Sequence, residues 1–85
     1  MKTVRIETLG CRLNQIESEA IARIFIEKGF NICAESLNAN VEVDVNTFLI
    51  IINTCAVTQK AEQKARRIFR LCLKKFPNAV ILVTG

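Results

Sequence analysis

Two cysteines lie at junctions between a predicted strand and the predicted helix that follows it. Cys11 lies in "TLGCRLNQIE", directly after a glycine, and Cys55 lies in "IIINTCAVTQ", directly after a long apolar run. Thiolates are preferred ligands of zinc and of iron–sulfur clusters, so a shared metal site is one chemistry that this pair could support. Two ligands are too few for such a site and the usual CxxC spacing is absent, so unrelated small residues in tight turns remain the alternative.

The sequence context of the other two cysteines favours structural roles for them. Cys33 follows a short apolar stretch and could be a third ligand, but a place in the core is the favoured interpretation. Cys72 falls on the apolar face of a predicted helix, where a free cysteine behaves as a small hydrophobic residue. The chain has four cysteines and no histidine, which excludes Cys-His zinc sites and Cys-His catalytic pairs.

Apolar periodicity predicts the elements that position these residues. Strands are expected over residues 4–9, 30–33, 48–52 and 79–83, and helices over 15–28 and 59–75. Asn14 and Glu17 have the spacing of a capping box for the first helix, and Thr58 suits the cap of the second. The first helix is expected to bury an apolar stripe formed by Leu13, Ile16, Ala20, Ile21, Ile24 and Phe25. The alternating "VEVDV" at 41–45 indicates either an edge strand or the approach to the next strand.

This element order predicts one α/β domain over residues 1–85. Its expected architecture is an open parallel sheet of about four strands with flanking helices, Rossmann- or flavodoxin-like. Ligands of such sheets collect at the carboxyl ends of the strands. Cys11, Cys55 and the chain end at Gly85 all follow predicted strands, so three loops are expected to converge at one edge.

Composition narrows the class of protein. About half of the residues are apolar and the formal net charge is +4, as in a globular domain with a mild attraction to polyanions. The N-terminal residues resemble neither a signal peptide nor a membrane span, so a cytoplasmic location and no membrane partner are expected. The second helix concentrates the basic residues, which suggests either a solvated face or an RNA-facing surface that includes Lys64, Arg66, Arg67 and Arg70.

Other cysteine chemistries fit less well. A phosphatase loop of the C-x5-R type needs an arginine where this chain has Glu17, whose carboxylate would repel a phosphate. A cysteinyl phosphate carrier of the sugar phosphotransferase type remains a weaker alternative. Dinucleotide binding is disfavoured because Gly10 stands alone where G-x-G-x-x-G would be required.

Taken together, "TLGCRLNQIESE", "NTCAVTQKAEQKARR" and the closing "ILVTG" resemble the N-terminal domain of the radical-SAM methylthiotransferases. The resemblance covers nearly the whole chain. It is greatest to the branch that methylthiolates C2 of N6-threonylcarbamoyladenosine at position 37 of tRNA. Branches that act on another tRNA adenosine or on a ribosomal protein are the alternatives.

The resemblance implies a site. Cys11 and Cys55 correspond to two of three ligands of a [4Fe-4S] cluster whose open iron binds a sulfur cosubstrate. The third ligand would directly follow Gly85, so the chain is expected to be a fragment that stops one residue short of it. Asn14, Gln15 and Asn53 are candidates for hydrogen bonds around the cluster.

The resemblance also implies what the rest of such an enzyme supplies. The radical-SAM domain, with S-adenosylmethionine and a second [4Fe-4S] cluster, and the RNA-binding domain are absent from this sequence. A 5'-deoxyadenosyl radical made there would abstract hydrogen from C2 of the adenine before sulfur is delivered. The isolated fragment is therefore expected to be inactive, with an incomplete cluster. Its open sheet edge predicts non-physiological self-association.

Overall fold

The computed structural model describes residues 2–55 and 59–84 as a four-stranded parallel sheet with two helices. The elements follow the chain as β1 (Thr3–Leu9), α1 (Arg12–Glu27), β2 (Asn31–Cys33), β3 (Thr47–Thr54), α2 (Gln59–Lys75) and β4 (Val80–Thr84). The predicted α/β class and the number of strands are confirmed. The cap assigned to Thr58 lies outside the described residues.

The strand order is β2-β1-β3-β4, and all three pairings are parallel. From β1 the chain crosses to β2 on one side, whereas from β3 it crosses to β4 on the other. The direction of winding therefore reverses between β1 and β3, which makes their carboxyl ends the topological switch point of the sheet. Open α/β sheets bind their ligands in the crevice at that point.

The two helices cover opposite faces of the sheet. On one face, Ile68 and Cys72 of α2 pack with Ile50 and Ile52 of β3 in a buried cluster that also contains Leu9, Leu37 and Phe76. On the other face, Val4, Ile6 and Ile51 form a second cluster against the C-terminal half of α1. The central strand β3 is thus covered on both sides, as its continuous apolar run predicts.

The segment 41–45 is an approach to β3 and not an edge strand. Asp44 accounts for this because its carboxylate accepts hydrogen bonds from the Asn46 N–H at 2.8 Å and from the Thr47 hydroxyl at 2.9 Å. The bond from the Asn46 backbone to the Asp44 side chain favours a turn over the hydrogen bonds of a β-ladder. Val43 and Val45 consequently remain exposed.

The start of α1 and its buried face both differ from the prediction. The helix begins at Arg12 with Cys11 as its N-cap, so Asn14 is the third helical residue and not the cap. Asn14 and Ser18 are buried against the sheet, whereas Leu13, Ile16 and Ile24 are more than half exposed. The predicted apolar stripe is thus rotated around the helix axis relative to the face that contacts the sheet. Among the described residues, Ile21 and Phe25 are the only members of the stripe that pack against the second apolar cluster.

Apolar surface is also exposed at the β4 side of the sheet. Val80, Leu82 and Val83 of this edge strand are about half exposed or more, and Phe69 of α2 is also exposed. The self-association expected of an open edge stays a prediction. Neither helix of the described chain has the length and apolar character needed to cross a membrane.

Candidate metal centre

Cys11 and Cys55 lie on the two loops that meet at the switch point. The β1–β3 register pairs Leu9 with Thr54, the last residues of the two strands. The Cys55 backbone N–H then donates to the Leu9 carbonyl oxygen at 3.0 Å, which extends the ladder into the loops. The structure therefore places the two cysteine-bearing loops side by side, as predicted from the ends of the strands.

Gly10 permits this close approach. Its φ of +147° lies in a region that residues with a side chain rarely adopt. A Cβ atom at position 10 would lie 3.0 Å from Cys55 Cβ and would collide with the Asn14 side-chain oxygen. A glycine before Cys11 is thus required by backbone conformation and by the contact with the second cysteine loop.

The Cys11 thiol is exposed and sits at the positive end of α1. The backbone N–H groups of Asn14 and then Leu13 donate to its sulfur and lower the pKa of the thiol below its ordinary value, against smaller opposing effects of desolvation and of Glu17. Asn14 Oδ1 accepts from the Cys11 N–H at 3.2 Å and from the Cys11 thiol at 3.5 Å. The lowered pKa raises the thiolate fraction of Cys11, and the thiolate is the form that binds metals.

Cys11 and Cys72 should differ sharply in reactivity toward iodoacetamide. Cys72 is fully buried, and burial followed by the Glu7 carboxylate raises the pKa of its thiol to about 11. Because a lowered pKa leaves more thiolate at neutral pH, we expect Cys11 in metal-free protein to be labelled at lower pH than free cysteine, with Cys72 unlabelled until the chain unfolds. Peptide mass spectrometry after timed labelling between pH 6 and 9 measures the labelling of both cysteines. If Cys11 were labelled with the pH profile of free cysteine, the lowered pKa of its thiol would be contradicted.

A buried polar network fixes the start of α1 to the end of β3. The Asn53 side-chain N–H groups donate to the Asn14 carbonyl oxygen at 2.9 Å and to Ser18 Oγ at 3.1 Å, while Asn53 Oδ1 accepts from Asn14 Nδ2 at 3.1 Å. Thr8 donates to Ser18 Oγ at 2.7 Å. Because Asn14 also accepts from the Cys11 N–H, the network connects the Cys11 loop to the strand that precedes Cys55.

The structure separates the three residues predicted to surround the cysteines. Asn14 and Asn53 are in direct contact, whereas Gln15 is exposed and lines another cleft with Ser18 and Glu19. Sequence reasoning missed Ser18 and Thr8, whose small hydroxyl side chains carry no pattern of their own. Thr54, which precedes Cys55, has its Oγ1 buried without a hydrogen-bond partner in the described part of the chain.

The remaining cysteines lie away from this edge. The β1–β2 register pairs Cys33 with Arg5, six residues before Cys11, so along the strand direction it lies on the order of 15 Å from the carboxyl end of β1. Cys72 belongs to the core cluster, as its place on the apolar helix face predicts.

The donor set fits part of an iron–sulfur site. Both Cys11 and Cys55 are free thiols, the first exposed and the second partly exposed, and iron–sulfur clusters are held by cysteine thiolates. Within residues 2–55 and 59–84, no group of three or more His, Cys, Asp or Glu side chains is arranged to hold a metal ion. The pair can therefore supply two ligands to such a site.

Comparison with known proteins decides the family. The family model described as "Uncharacterized protein family UPF0004" matches residues 3–85. The chain belongs to this family. No solved structure matches it.

Curated relatives of this UPF0004 chain are tRNA-modifying enzymes by name. A threonylcarbamoyladenosine tRNA methylthiotransferase MtaB of Treponema pallidum (strain Nichols) is 53% identical over the whole chain, and one of Bacillus subtilis (strain 168) is 39% identical. A tRNA-2-methylthio-N(6)-dimethylallyladenosine synthase of Syntrophus aciditrophicus (strain SB) is 48% identical over 99% of the chain. The chain spans only 17% of the length of each of these relatives. The predicted resemblance to methylthiotransferases is thereby confirmed.

The basic residues predicted to face RNA lie on α2 of the UPF0004 fold. Lys64, Arg66, Arg67 and Arg70 are all exposed. Arg66 forms an ion pair with Glu62 at 2.8 Å, one turn earlier on the same helix. Their exposure is compatible with a binding surface and equally with a solvated helix face.

Proposed function

We propose that this chain is the N-terminal, cluster-binding part of a tRNA methylthiotransferase, with Cys11 and Cys55 as two of three cysteine ligands of a [4Fe-4S] cluster. The observation that carries the proposal is the position of both cysteines at the β1/β3 switch point, on loops joined by the Cys55–Leu9 hydrogen bond. The names of the relatives support the enzyme class.

Each residue of the site has a defined task in this proposal. N–H groups of the first helical turn lower the pKa of the Cys11 thiol, and Gly10 lets its loop contact Cys55. Asn14 and Asn53 fix the orientation of the Cys11 loop relative to β3, as outer hydrogen-bonding partners do for metal ligands. When bound, the cluster would supply an open iron at which a sulfur cosubstrate is held.

Strand register supports a third ligand directly after Gly85. Thr84 pairs with Asn53 in the β3–β4 ladder. If that register continues, the residue two places after Thr84 reaches the level of Cys55, two places after Asn53. A cysteine directly after Gly85 would therefore complete the set at the same edge.

We infer that the substrate of the whole protein is N6-threonylcarbamoyladenosine at position 37 of tRNA, methylthiolated at C2. The supporting comparison is the Treponema pallidum relative, at 53% identity over the full chain. The radical-SAM domain, S-adenosylmethionine, a second [4Fe-4S] cluster and an RNA-binding domain belong to the rest of the protein in this proposal. The 85-residue chain alone is accordingly inactive.

A second candidate substrate is N6-dimethylallyladenosine in tRNA. It is supported by the Syntrophus aciditrophicus relative, whose 48% identity is close to that of the threonylcarbamoyl branch. A ribosomal-protein substrate and a cysteinyl phosphate carrier receive no support from the relatives compared above.

Nucleoside mass spectrometry distinguishes these candidates. The whole protein is produced in a bacterium that lacks its own methylthiotransferases, with a Cys55→Ala variant as the inactive control. We expect 2-methylthio-N6-threonylcarbamoyladenosine to appear in digested tRNA with the wild-type protein only. Appearance of the dimethylallyl derivative alone would select the second candidate, and methylthiolation of neither nucleoside would refute the proposed enzyme class.

A further inference from the structure

Helix α2 carries the positive charge of this chain. It holds seven of the twelve Lys and Arg residues but only Glu62 among the eight acidic residues. The rest of the chain has five basic and seven acidic residues and is slightly acidic. The basic character of the protein is thus confined to one helix on one face of the sheet.

A groove runs between α2 and the loop at residues 37–39. Its volume is about 560 Å³ and its polar rim is formed largely by cations, while its apolar lining comes from the helix and the loop. The cations are Lys64, Arg67, Arg70 and Lys74, and the apolar lining includes Leu37, Ile68 and Leu71. All four cations are exposed, and the one ion pair within residues 2–55 and 59–84 is Arg66–Glu62, which lies outside this rim.

We propose that this groove binds the phosphate backbone of the tRNA substrate. The proposal rests on the proposed function and extends it to a docking surface. Lys64 and Lys74 are ten positions apart, or about 15 Å along a helix that rises about 1.5 Å per residue. One strand of a DNA duplex places a phosphate about every 3.4 Å of its axis, so the row of cations has the length of a few phosphates of a nucleic-acid strand.

The direction of α2 connects this surface to the cysteine edge. The helix begins at Gln59, shortly after Cys55, and ends at Lys75, from where the chain returns through β4 to the same edge. The row of cations therefore leads away from the cysteines along the sheet face. RNA bound along it has one end at the switch point and the remainder on α2.

The lining of the groove predicts how RNA is read. No Phe, Tyr or Trp is among its lining residues, and aromatic rings are the usual platforms on which unpaired bases stack. Contacts of Lys and Arg with phosphates position a nucleic acid without carrying sequence information. In this proposal the groove contributes affinity for the phosphate backbone that depends strongly on salt.

The test compares two charge-matched variants of the whole protein. Arg67→Gln/Lys74→Gln removes two cations from the groove, whereas Arg23→Gln/Lys28→Gln removes the same two residue types from exposed positions at the end of α1. Affinity for unmodified tRNA is measured by fluorescence anisotropy at 50–300 mM salt. The groove variant should bind about tenfold more weakly at low salt, with the slope of log K against log salt reduced by about 2, while the control keeps the wild-type slope.

Failure of this inference is distinguishable from failure of the proposed function. Equal salt slopes for both variants, in a protein that still methylthiolates tRNA, would overturn the docking surface and leave the function intact. A reduced slope for the groove variant alone supports the surface even if no modified nucleoside is formed. An unrelated RNA hairpin of equal length should show the same loss, and a loss confined to one base sequence would contradict backbone recognition.

Discussion

Asn53→Ala should lower the free energy of unfolding of this chain by about 3 kcal/mol. The substitution removes three buried hydrogen bonds and leaves the Asn14 amide without its partner between α1 and β3. A buried polar group left unpaired costs about 1–3 kcal/mol, and the lost side chain adds a small cavity. A domain of this size has a total stability of roughly 4–13 kcal/mol, so the midpoint of thermal unfolding should fall by about 15 °C.

The matched control is Asn40→Ala, which deletes the same side-chain atoms at an exposed position. It should change the free energy of unfolding by no more than about 0.5 kcal/mol. Urea unfolding followed by circular dichroism measures both variants and Asn14→Ala. Because Asn14 and Asn53 bond to each other, Asn14→Ala/Asn53→Ala should cost less than the two single losses combined. Additive losses, or an Asn53→Ala variant as stable as the control, would show that the network does not hold the two loops.

The sheet was predictable because its determinants are local. Continuous apolar residues indicated a strand covered on both faces, and the bounds of α2 agree with the pattern because its buried positions and polar faces have clear helical periodicity. The segment 41–45 was ambiguous because its alternation suits a strand. Only Asp44, whose carboxylate bonds to Asn46 and Thr47, decides against one.

The inward face of α1 was not predictable from apolar periodicity. Asn14 and Ser18 are buried only because Asn53, far along the chain, supplies their partners. Apolar periodicity alone therefore predicts that Leu13, Ile16 and Ile24 are buried, although they are exposed in the folded chain. For the same reason Asn14 was assigned as a cap, although its side chain bonds to the Cys11 N–H and to Asn53.

The common sheet edge of the two cysteines was predictable from the sequence, but the geometry around them was not. Two strand ends followed by cysteines indicated a common edge, yet the strand order that makes this edge a switch point depends on long-range pairing. The contact between Gly10 and Cys55 likewise requires the folded chain. The ligand set itself remains a proposal from the family resemblance and the position of Cys11 and Cys55.

Removal of either switch-point cysteine should remove one complete cluster from the whole protein. After anaerobic reconstitution with iron and sulfide, Cys11→Ala and Cys55→Ala should each lose about four iron atoms per protein chain and the matching part of the visible absorbance. Cys33→Ala and Cys72→Ala should keep the wild-type iron content, because Cys33 lies beside Arg5 and Cys72 lies in the core. Their cost is limited to packing, on the order of 1 kcal/mol.

Iron content per chain across these four variants distinguishes cluster ligands from structural cysteines. We expect a loss of one cluster for Cys11→Ala and Cys55→Ala and no loss for the other two, in protein whose circular dichroism spectrum is that of the wild type. Full iron content in Cys11→Ala or Cys55→Ala would contradict this expectation. So would loss of the same cluster in Cys33→Ala, because the third ligand would then lie within these 85 residues.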